Sequence, residues 1–300
     1  MVVATLDDGL GAFSCVAWLM GNLLALGRES GHLQVNQDAE VKGLLQPDPE
    51  DSLTTLVARG RGLVAGGRKG RLYFYDPPDA SLRKSGSKEV FLLTRTLDAH
   101  IPGRAISALA VSSGGNELLL LSLSSVLERE EKQLDTVLGK GFGLLDDQEH
   151  DPFRLACAGI GCGKLVCMDA ISYLPYLAVV THDRVVRILN YQTRQTVVVK
   201  QLMDDVQCCA LHPSGSMLLL GSHDKLRSYC VAQDELQVLA EWSVKKCHSV
   251  RFSPGGAFFA AVGRTNAISV CYSFTSRQHC LLKGHVSAVT DLVFSPDDHL

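Results

Sequence analysis

The sequence predicts an all-β fold built from repeated four-stranded antiparallel units, and two sets of spacings carry this prediction. Pro213, Pro254 and Pro296 each stand in a short polar turn, at intervals of 41 and 42 residues. Asp183 and Asp224 each open a mainly apolar run, and they are 41 residues apart. Turn residues that keep step with the flanking strands at a period of about forty are typical of β-propeller blades. The spacings therefore favour a β-propeller.

The N-terminal part of the chain follows the same plan. Residues 13–35 and 53–76 each alternate apolar runs with glycine-containing turns, and Gly31 is matched by Gly70 39 positions later. Short apolar runs bounded by such turns are typical of the strands of a β-meander. We count six blades, which start near residues 12, 53, 105, 164, 206 and 247, and a half blade that follows them.

The half blade is the final segment, Lys283–Leu300. His285 follows a glycine, a short apolar alternation runs from Val289 to Phe294, and Pro296 then opens a turn. This order predicts a strand, a tight turn and the start of another strand before the chain stops. Because an incomplete blade leaves a strand edge and apolar surface uncovered, we expect the chain to be part of a longer protein.

One stretch interrupts the repeats. Residues 124–163 mix charged residues and glycine with little periodicity. This pattern indicates an irregular insertion or a linker, and a short charged helix over 126–138 is the alternative. We therefore divide the chain into blades over 1–123, the insertion or linker over 124–163, and blades over 164–300.

Composition narrows the classes of partner and compartment. The net charge of -3 disfavours general binding to nucleic acid or to a membrane surface. No apolar stretch approaches the length of a membrane span, and the N-terminus does not resemble a secretory signal. Most of the ten cysteines lie inside apolar runs, where free thiols behave as small hydrophobic groups. These features predict a reducing compartment inside the cell.

Three features of the sequence suggest a chemical role, but none of them matches the motif that its role requires. Residues 159–164, GIGCGK, have Ala158 and Leu165 where a phosphate-binding loop needs glycine and serine or threonine. The cysteines include no Cys-x-x-Cys pair of the kind that holds structural zinc. His285 has no serine or cysteine nucleophile motif beside it. We therefore predict no catalytic residue, no cofactor-binding residue and no metal ligand.

The chain contains one dense basic run. It has five cations within thirteen residues: Arg59, Arg61, Arg68, Lys69 and Arg71. The run is typical of two exposed turns of one blade, and the alternative is a contact with an acidic partner such as nucleic acid or an acidic protein tail. The absence of interleaved aromatic residues disfavours base stacking and hence nucleic acid. We assign structural roles in turns and repeats to Asp183, Asp224, Pro213, Pro254, His285 and Pro296.

Four stretches carry a more specific resemblance. They are DRVVRILNYQT (183–193), ALHPSGSMLLLGSHDKLR (210–227), FSPGGAFFAAV (252–262) and LLKGHVSAVTDLVFS (281–295). The order of these stretches and the residues within them resemble those of the cilia- and flagella-associated protein 57 family. The members of this family are WD-repeat proteins of motile axonemes. In WD repeats the histidine of the Gly-His pair bonds an aspartate of the same blade, and His285 stands at that position.

The resemblance implies a noncatalytic scaffold that binds other proteins of the ciliary axoneme and supports docking or assembly of inner dynein arms. Dynein-arm and microtubule-associated proteins would be its partners, and its locations would be the cytoplasm, the cytoskeleton and the cilium axoneme. On this basis 1–123 would close a first WD propeller and 164–300 would open a second one. Two alternatives stay open: a cytoplasmic adaptor, such as a substrate receptor or trafficking scaffold, and a propeller enzyme.

Overall fold

A computed structural model describes ten segments of the chain: residues 11–37, 40–78, 90–98, 105–111, 118–122, 165–171, 173–193, 195–232, 235–275 and 277–297. The chain divides into two compact units, Met1–Leu109 and Ala110–Leu300. The predicted insertion or linker over 124–163, together with its alternative helix, lies outside the described residues.

The first unit contains two four-stranded antiparallel sheets in which the strand order follows the chain order. The first sheet comprises β1 (Phe13–Leu19), β2 (Leu23–Arg28), β3 (Leu33–Gln37) and β4 (Glu40–Leu45). The second comprises β5 (Leu53–Arg59), β6 (Gly62–Gly67), β7 (Arg71–Asp76) and β8 (Leu92–Asp98). A two-stranded sheet then pairs β9 (Ile106–Val111) with β10 (Leu118–Ser122). These two strands are all that is described of the predicted third blade.

The second unit contains three more four-stranded antiparallel sheets of the same order. The first comprises β11 (Leu165–Ala170), β12 (Tyr176–Thr181), β13 (Val185–Asn190) and β14 (Gln195–Gln201). The second comprises β15 (Val206–Leu211), β16 (Met217–Ser222), β17 (Leu226–Val231) and β18 (Leu236–Trp242). The last comprises β19 (Ser249–Phe252), β20 (Phe258–Val262), β21 (Ile268–Tyr272) and β22 (Gln278–Leu282). The described segments contain no helix that is long and apolar enough to cross a membrane.

Burial differs between the strands of a sheet. β6 and β16 are buried at every position, whereas β8, the last strand of its sheet, exposes nearly all of its residues. Within each unit the first strands of neighbouring sheets contact each other: β1 contacts β5, and β11 contacts β15. A middle strand is apolar on both faces because it packs between two neighbouring sheets, so its sequence forms a continuous apolar run.

Separate apolar cores fill the spaces between neighbouring sheets. In the first unit Leu33 and Leu53 are fully buried in one such core. In the second unit Leu218 and Leu219, adjacent residues of β16, point into two different cores, one on each side of their sheet. Burying one leucine side chain stabilises the fold by about 1.5–3 kcal/mol, so these cores supply most of the cohesion between sheets.

Tight turns join the first and second strands of the last two sheets. In one, the N–H of Gly215 donates to the carbonyl of His212 at 2.8 Å; in the other, the N–H of Gly256 donates to the carbonyl of Ser253 at 2.9 Å. Both glycines have left-handed backbone angles, with φ of 75° and 76°. Glycine adopts this conformation without steric cost, which explains the Gly that ends each HPSG or SPGG turn.

The predicted count of six blades and a half blade is wrong. The described residues form five four-stranded sheets and one two-stranded sheet, and residues 283–297 contain no strand. The apolar alternation in that segment has another cause. Val289 and Leu292 are buried against Val262 and Val270 of the last sheet. Side-chain packing alone accounts for their apolar character, whereas a strand also needs a ladder of backbone hydrogen bonds to a neighbour.

Candidate functional site

Asp169, near the end of β11, connects three successive sheets of the second unit. Its Oδ2 accepts a hydrogen bond from the N–H of Leu211 in β15 at 2.7 Å, and its Oδ1 lies 3.7 Å from Nη1 of Arg251 in β19. Burial raises the pKa of the Asp169 carboxyl, and the attraction of Arg251 opposes that rise. Asp291, beyond β22, also attracts the Arg251 guanidinium. The group therefore joins the first strands of the sheets electrostatically.

Asp51, in the first unit, is a buried carboxylate whose partners belong to the sheet that it precedes. The carboxylate is 1% exposed; its Oδ2 accepts from the hydroxyl of Tyr73 at 2.8 Å and its Oδ1 from the N–H of Lys69 at 2.9 Å. Burial raises the pKa of the Tyr73 hydroxyl, and the Asp51 carboxylate raises it further. Gly67 lies so close that a Cβ there would overlap the carboxylate. These contacts tie the β6–β7 turn to the residues just before β5.

Hydrogen bonds of one kind recur between neighbouring sheets. In each, a side chain in or just before the first strand of one sheet donates to a backbone carbonyl in or near the next sheet or, after the last sheet, in the segment that follows β22. The pairs are Ser14 with Leu53 at 2.6 Å, Thr54 with Ile106 at 2.6 Å, Cys208 with Cys247 at 3.3 Å, and His248 with Val289 at 2.8 Å. Because the donors differ chemically, the repeat conserves the position of the bond and not the residue that makes it.

Pro213 and Pro254 lie in the turns between the first and second strands of neighbouring sheets, and a buried histidine joins these turns. Nδ1 of His212 accepts from the N–H of Ser214 at 3.1 Å, and its Nε2 donates to the carbonyl of Gly256 at 2.9 Å. Both ring nitrogens are therefore occupied by structural hydrogen bonds.

The other predicted repeat positions are exposed. Asp183 and Asp224 lie in equivalent turns between the second and third strands of neighbouring sheets, and Oδ1 of Asp224 lies 3.2 Å from Nδ1 of His223. His285 and Pro296 are exposed beyond β22. Their assignment as structural repeat positions stays a prediction.

The predicted basic run is divided between two ends of one sheet. Arg59 ends β5 and Arg61 lies in the turn that follows, whereas Arg68 and Lys69 lie in the β6–β7 turn and Arg71 begins β7. The six residues of β6 separate the two groups. At about 3.3 Å per residue, a strand of this length spans roughly 20 Å. The five cations therefore do not form one cluster.

At the β6–β7 end, carboxylates neutralise part of the positive charge. Lys69 Nζ lies 3.1 Å from Oε2 of Glu50, and Arg71 contacts Asp48 through Nη1 at 2.9 Å and Asp98 through Nε at 3.2 Å. Exposed ion pairs contribute little to stability, but they lower the local positive potential. The predicted contact of this run with an acidic partner stays untested.

The described thiols are free cysteines, and two pairs of them, Cys208 with Cys247 and Cys167 with Cys209, lie between neighbouring sheets. Sγ of Cys208 lies 3.8 Å from Sγ of Cys247. The hydrogen bond to Cys247, together with burial, raises the pKa of the Cys208 thiol well above its ordinary value, and Cys167 and burial do the same for Cys209. Such thiols are poor nucleophiles.

Within the described segments, His, Cys, Asp and Glu form no group of three or more placed to hold a metal ion. The GIGCGK loop lies outside them.

Sequence reasoning missed the polar residues that connect the sheets. Asp169 and Arg251 have no local motif, because their partners lie on other sheets, and the partners of Asp51 lie 18 and 22 residues later in the chain. His212 had a usable signal, since it precedes the turn proline at the position where the next turn has Ser253. A polar residue at the end of an apolar strand is a reasonable candidate for such a bridging contact.

Comparison with known proteins supplies relatives for most of the chain. It is 34% identical over 131 residues, or 44% of its length, to cilia- and flagella-associated protein 57 of Mus musculus. The chain is homologous to this ciliary protein and to two others. Cilia- and flagella-associated protein 57 C of Tetrahymena thermophila is 30% identical over 148 residues, and protein 57 A of that organism is 23% identical over 291 residues, 93% of this chain. The predicted resemblance is confirmed.

The chain spans only a small part of these relatives. It covers 10% of the mouse protein and 11% and 21% of the two Tetrahymena proteins. No protein-family model matches the sequence.

Solved structures identify the fold. The β-propeller domain of Myceliophteria thermophila Cps50 (Swd1) matches with a TM-score of 0.72 and 14% identity, over 98% of this chain and 93% of that one. A chain in a structure of the mitotic checkpoint complex matches with a TM-score of 0.67 and 13% identity, over 89% of this chain and 79% of that one. The four-stranded sheets are therefore blades of a β-propeller fold, as the spacings predicted.

Proposed function

We propose that this chain belongs to a noncatalytic WD-repeat scaffold of the motile-cilium axoneme, which supports docking or assembly of inner dynein arms. The observation that carries the proposal is the 34% identity over 131 residues to the mouse cilia- and flagella-associated protein. The propeller fold supports it, because stacked blades present broad surfaces of loops and strand edges that suit protein binding. The partners would be axonemal, dynein-arm or microtubule-associated proteins.

The location is tested by expressing the tagged full-length protein in a ciliated cell and extracting the cilia with detergent. We expect the tagged protein to remain with the axoneme after extraction, together with a known axonemal marker. A protein that stays in the cell body, or that leaves with the detergent-soluble fraction, would instead favour a cytoplasmic adaptor.

The role in dynein-arm assembly needs a separate measurement. Axonemes isolated from cells that lack the protein should contain less inner-arm dynein heavy chain than axonemes from wild-type cells. Outer-arm dynein serves as the internal control and should be unchanged. Equal inner-arm content in the two preparations would contradict this part of the proposal while leaving an axonemal location intact.

We also propose that the sequence-based division of the chain describes its domains, with blades over 1–123 and 164–300 and a linker between them. The charge and glycine content of 124–163 support it. Limited trypsin digestion should cut first within 124–163 and leave two resistant fragments. First cuts inside the sheets of residues 165–282 would show that the division is wrong.

A further inference from the structure

Cations from three separate stretches of the chain lie in the loops at one end of the last sheet. In the register of that sheet, Ser249 pairs with Val262, Val262 with Ile268, and Ile268 with Leu282, so its four strands end level with one another. The loops beyond this end carry Lys245, Lys246, Arg264 and Lys283, all of them exposed. We call this group of four side chains the basic end.

Backbone hydrogen bonds hold the loops of the basic end together. The N–H of Arg264 donates to the carbonyl of Lys245 at 2.8 Å, and the N–H of Lys246 donates to the carbonyl of His223, in a turn of the neighbouring sheet, at 2.6 Å. The side chain of Asn266 donates to the carbonyl of Val286 at 2.9 Å. These bonds place the backbone positions of the four cations on adjoining, mutually bonded loops.

Other cations at this end of the second unit are neutralised, whereas those of the basic end are not. Arg184 pairs with Asp205 at 2.7 Å. Lys225 and Arg227 both pair with Glu241, at 2.7 and 2.6 Å. Among the described residues, the four side chains of the basic end have no carboxylate within ion-pair distance. Asp224 lies in the turn whose His223 carbonyl bonds Lys246; its carboxylate contacts His223 and not a cation, and its one negative charge leaves the four cations in excess. Uncompensated charges on adjoining loops produce a local positive potential despite the net charge of -3.

We propose that the basic end is a binding surface for an acidic segment of another polypeptide. Charge complementarity selects an anionic partner, and Val286, which is 97% exposed and whose carbonyl bonds Asn266 of the adjoining loop, offers one apolar contact. A polypeptide fits better than nucleic acid because these loops contain no Phe, Tyr or Trp on which a base could stack. The proposal deepens the scaffold function above by giving a partner surface its chemistry.

The test is a binding titration in solution with the purified 300-residue chain. A fluorescein-labelled polyglutamate peptide is the probe, and fluorescence anisotropy is the readout. We expect K245Q/K246Q/R264Q/K283Q to weaken binding about tenfold or more, because several modest charge contacts add up. K245Q/K283Q, which alters only two exposed side chains, should weaken it by a smaller factor. Circular dichroism and urea unfolding establish that each variant is folded.

The predicted basic run of the first unit provides a matched control. R61Q/R68Q removes two exposed cations from the other unit and should change the affinity by less than about twofold, within the range of a long-range charge effect. Binding of the wild type should also weaken between about 50 and 200 mM salt, as expected for a charge-driven contact. A polylysine peptide should not bind.

Three results would overturn the proposal: no binding of polyglutamate by the wild type, equal binding by the quadruple variant, or equal losses in the quadruple variant and in R61Q/R68Q. Tighter binding of single-stranded oligothymidine than of polyglutamate, with the same sensitivity to the quadruple variant, would assign the surface to nucleic acid instead. All of these measurements are made in solution, so a failure here is distinguishable from a failure of the proposed ciliary location.

Discussion

Asp51 illustrates how a single buried carboxylate organises a turn. Its two oxygens accept hydrogen bonds from the Tyr73 hydroxyl and the Lys69 N–H, and solvent does not reach it. A buried acceptor that loses a donor pays the cost of desolvation without compensation. The stability of the β6–β7 turn therefore depends on both donors.

We expect Tyr73→Phe to lower the free energy of unfolding by about 1–2 kcal/mol, because it leaves one oxygen of Asp51 without its donor. Urea unfolding followed by circular dichroism measures the change. Tyr173→Phe is the matched control: Tyr173 is 75% exposed, and its loss of a hydroxyl should cost less than about 0.5 kcal/mol. Equal effects of the two substitutions would contradict the assigned role of the Asp51–Tyr73 bond.

Asp169 predicts a dependence of stability on pH. Burial raises the pKa of its carboxyl in the folded protein above the ordinary value of 3.8, so the folded state keeps the proton longer than the unfolded state does. As pH rises through that interval, the contribution of Asp169 to the free energy of unfolding falls. Asp169→Asn has no proton to lose, and its oxygen can still accept from the Leu211 N–H.

The stability of the wild type relative to Asp169→Asn should therefore decline as pH increases from about 4 to 7. Urea titrations of both proteins in the same buffers measure this difference. A difference that stays constant, or that grows in favour of the wild type, would mean that Arg251 and the backbone N–H outweigh the effect of burial at this carboxyl.

At the scale of the strand, β16 shows why a sheet requires a particular glycine. Gly221 faces the thiols that lie between the last two sheets, and a Cβ added there would stand 2.5 Å from Sγ of Cys208 and 2.9 Å from Sγ of Cys247. Both cysteines belong to the core between these sheets. The missing side chain of Gly221 therefore makes room for the thiols.

We expect Gly221→Ala to destabilise the protein by about 1–3 kcal/mol, as an overpacked core does. Gly43→Ala in β4 is the control, because a Cβ there would meet only Val90, at 3.7 Å. That distance is an ordinary contact, and the control should change the free energy of unfolding by less than about 0.5 kcal/mol. Thermal or urea unfolding distinguishes the two, and a neutral Gly221→Ala would show that the thiols move aside freely.

At the scale of the whole molecule, cohesion is built from contacts between neighbours. Each apolar core belongs to two consecutive sheets, and each of the recurring side-chain-to-carbonyl bonds joins one sheet to the next segment in sequence. In a protein built from such contacts, a destabilising substitution lowers the stability mainly of the elements around it. The segment after β22 continues the pattern, since Leu292 packs on the last sheet.

Leu292→Ala should remove about 2–3 kcal/mol of packing, because Leu292 is only 9% exposed. Hydrogen exchange is the suitable measurement: amides of β19–β22 should exchange faster, whereas those of β11–β14, two sheets away, should change little. Val293→Ala, at an exposed neighbouring position, is the control and should have a small effect. A uniform acceleration across all three sheets of the second unit would contradict the picture of local cohesion.

The sequence was sufficient for the repeated architecture and insufficient for its sites. Turn prolines at constant intervals and apolar runs such as 217–220 reflect local constraints, which are written in adjacent residues. The half blade over 283–300 was the main error, because the same apolar alternation suits a strand and a segment packed by its side chains. The local pattern of apolar residues does not distinguish a strand from a segment that packs only through its side chains.

The charged residues show most clearly the difference between what the sequence determined and what the tertiary structure decided. By itself the sequence determined an all-β chain of propeller blades, with free thiols inside apolar runs and with a resemblance to ciliary WD proteins. It also drew attention to the basic run of residues 59–71, whose cations lie at two ends of a sheet. Only the tertiary structure decided which distant residues meet: Asp169 with Arg251, and Lys245 and Lys246 beside Arg264 and Lys283. Antiparallel pairing brings residues far apart in sequence to the same end of a sheet, and no local pattern of residues encodes that proximity.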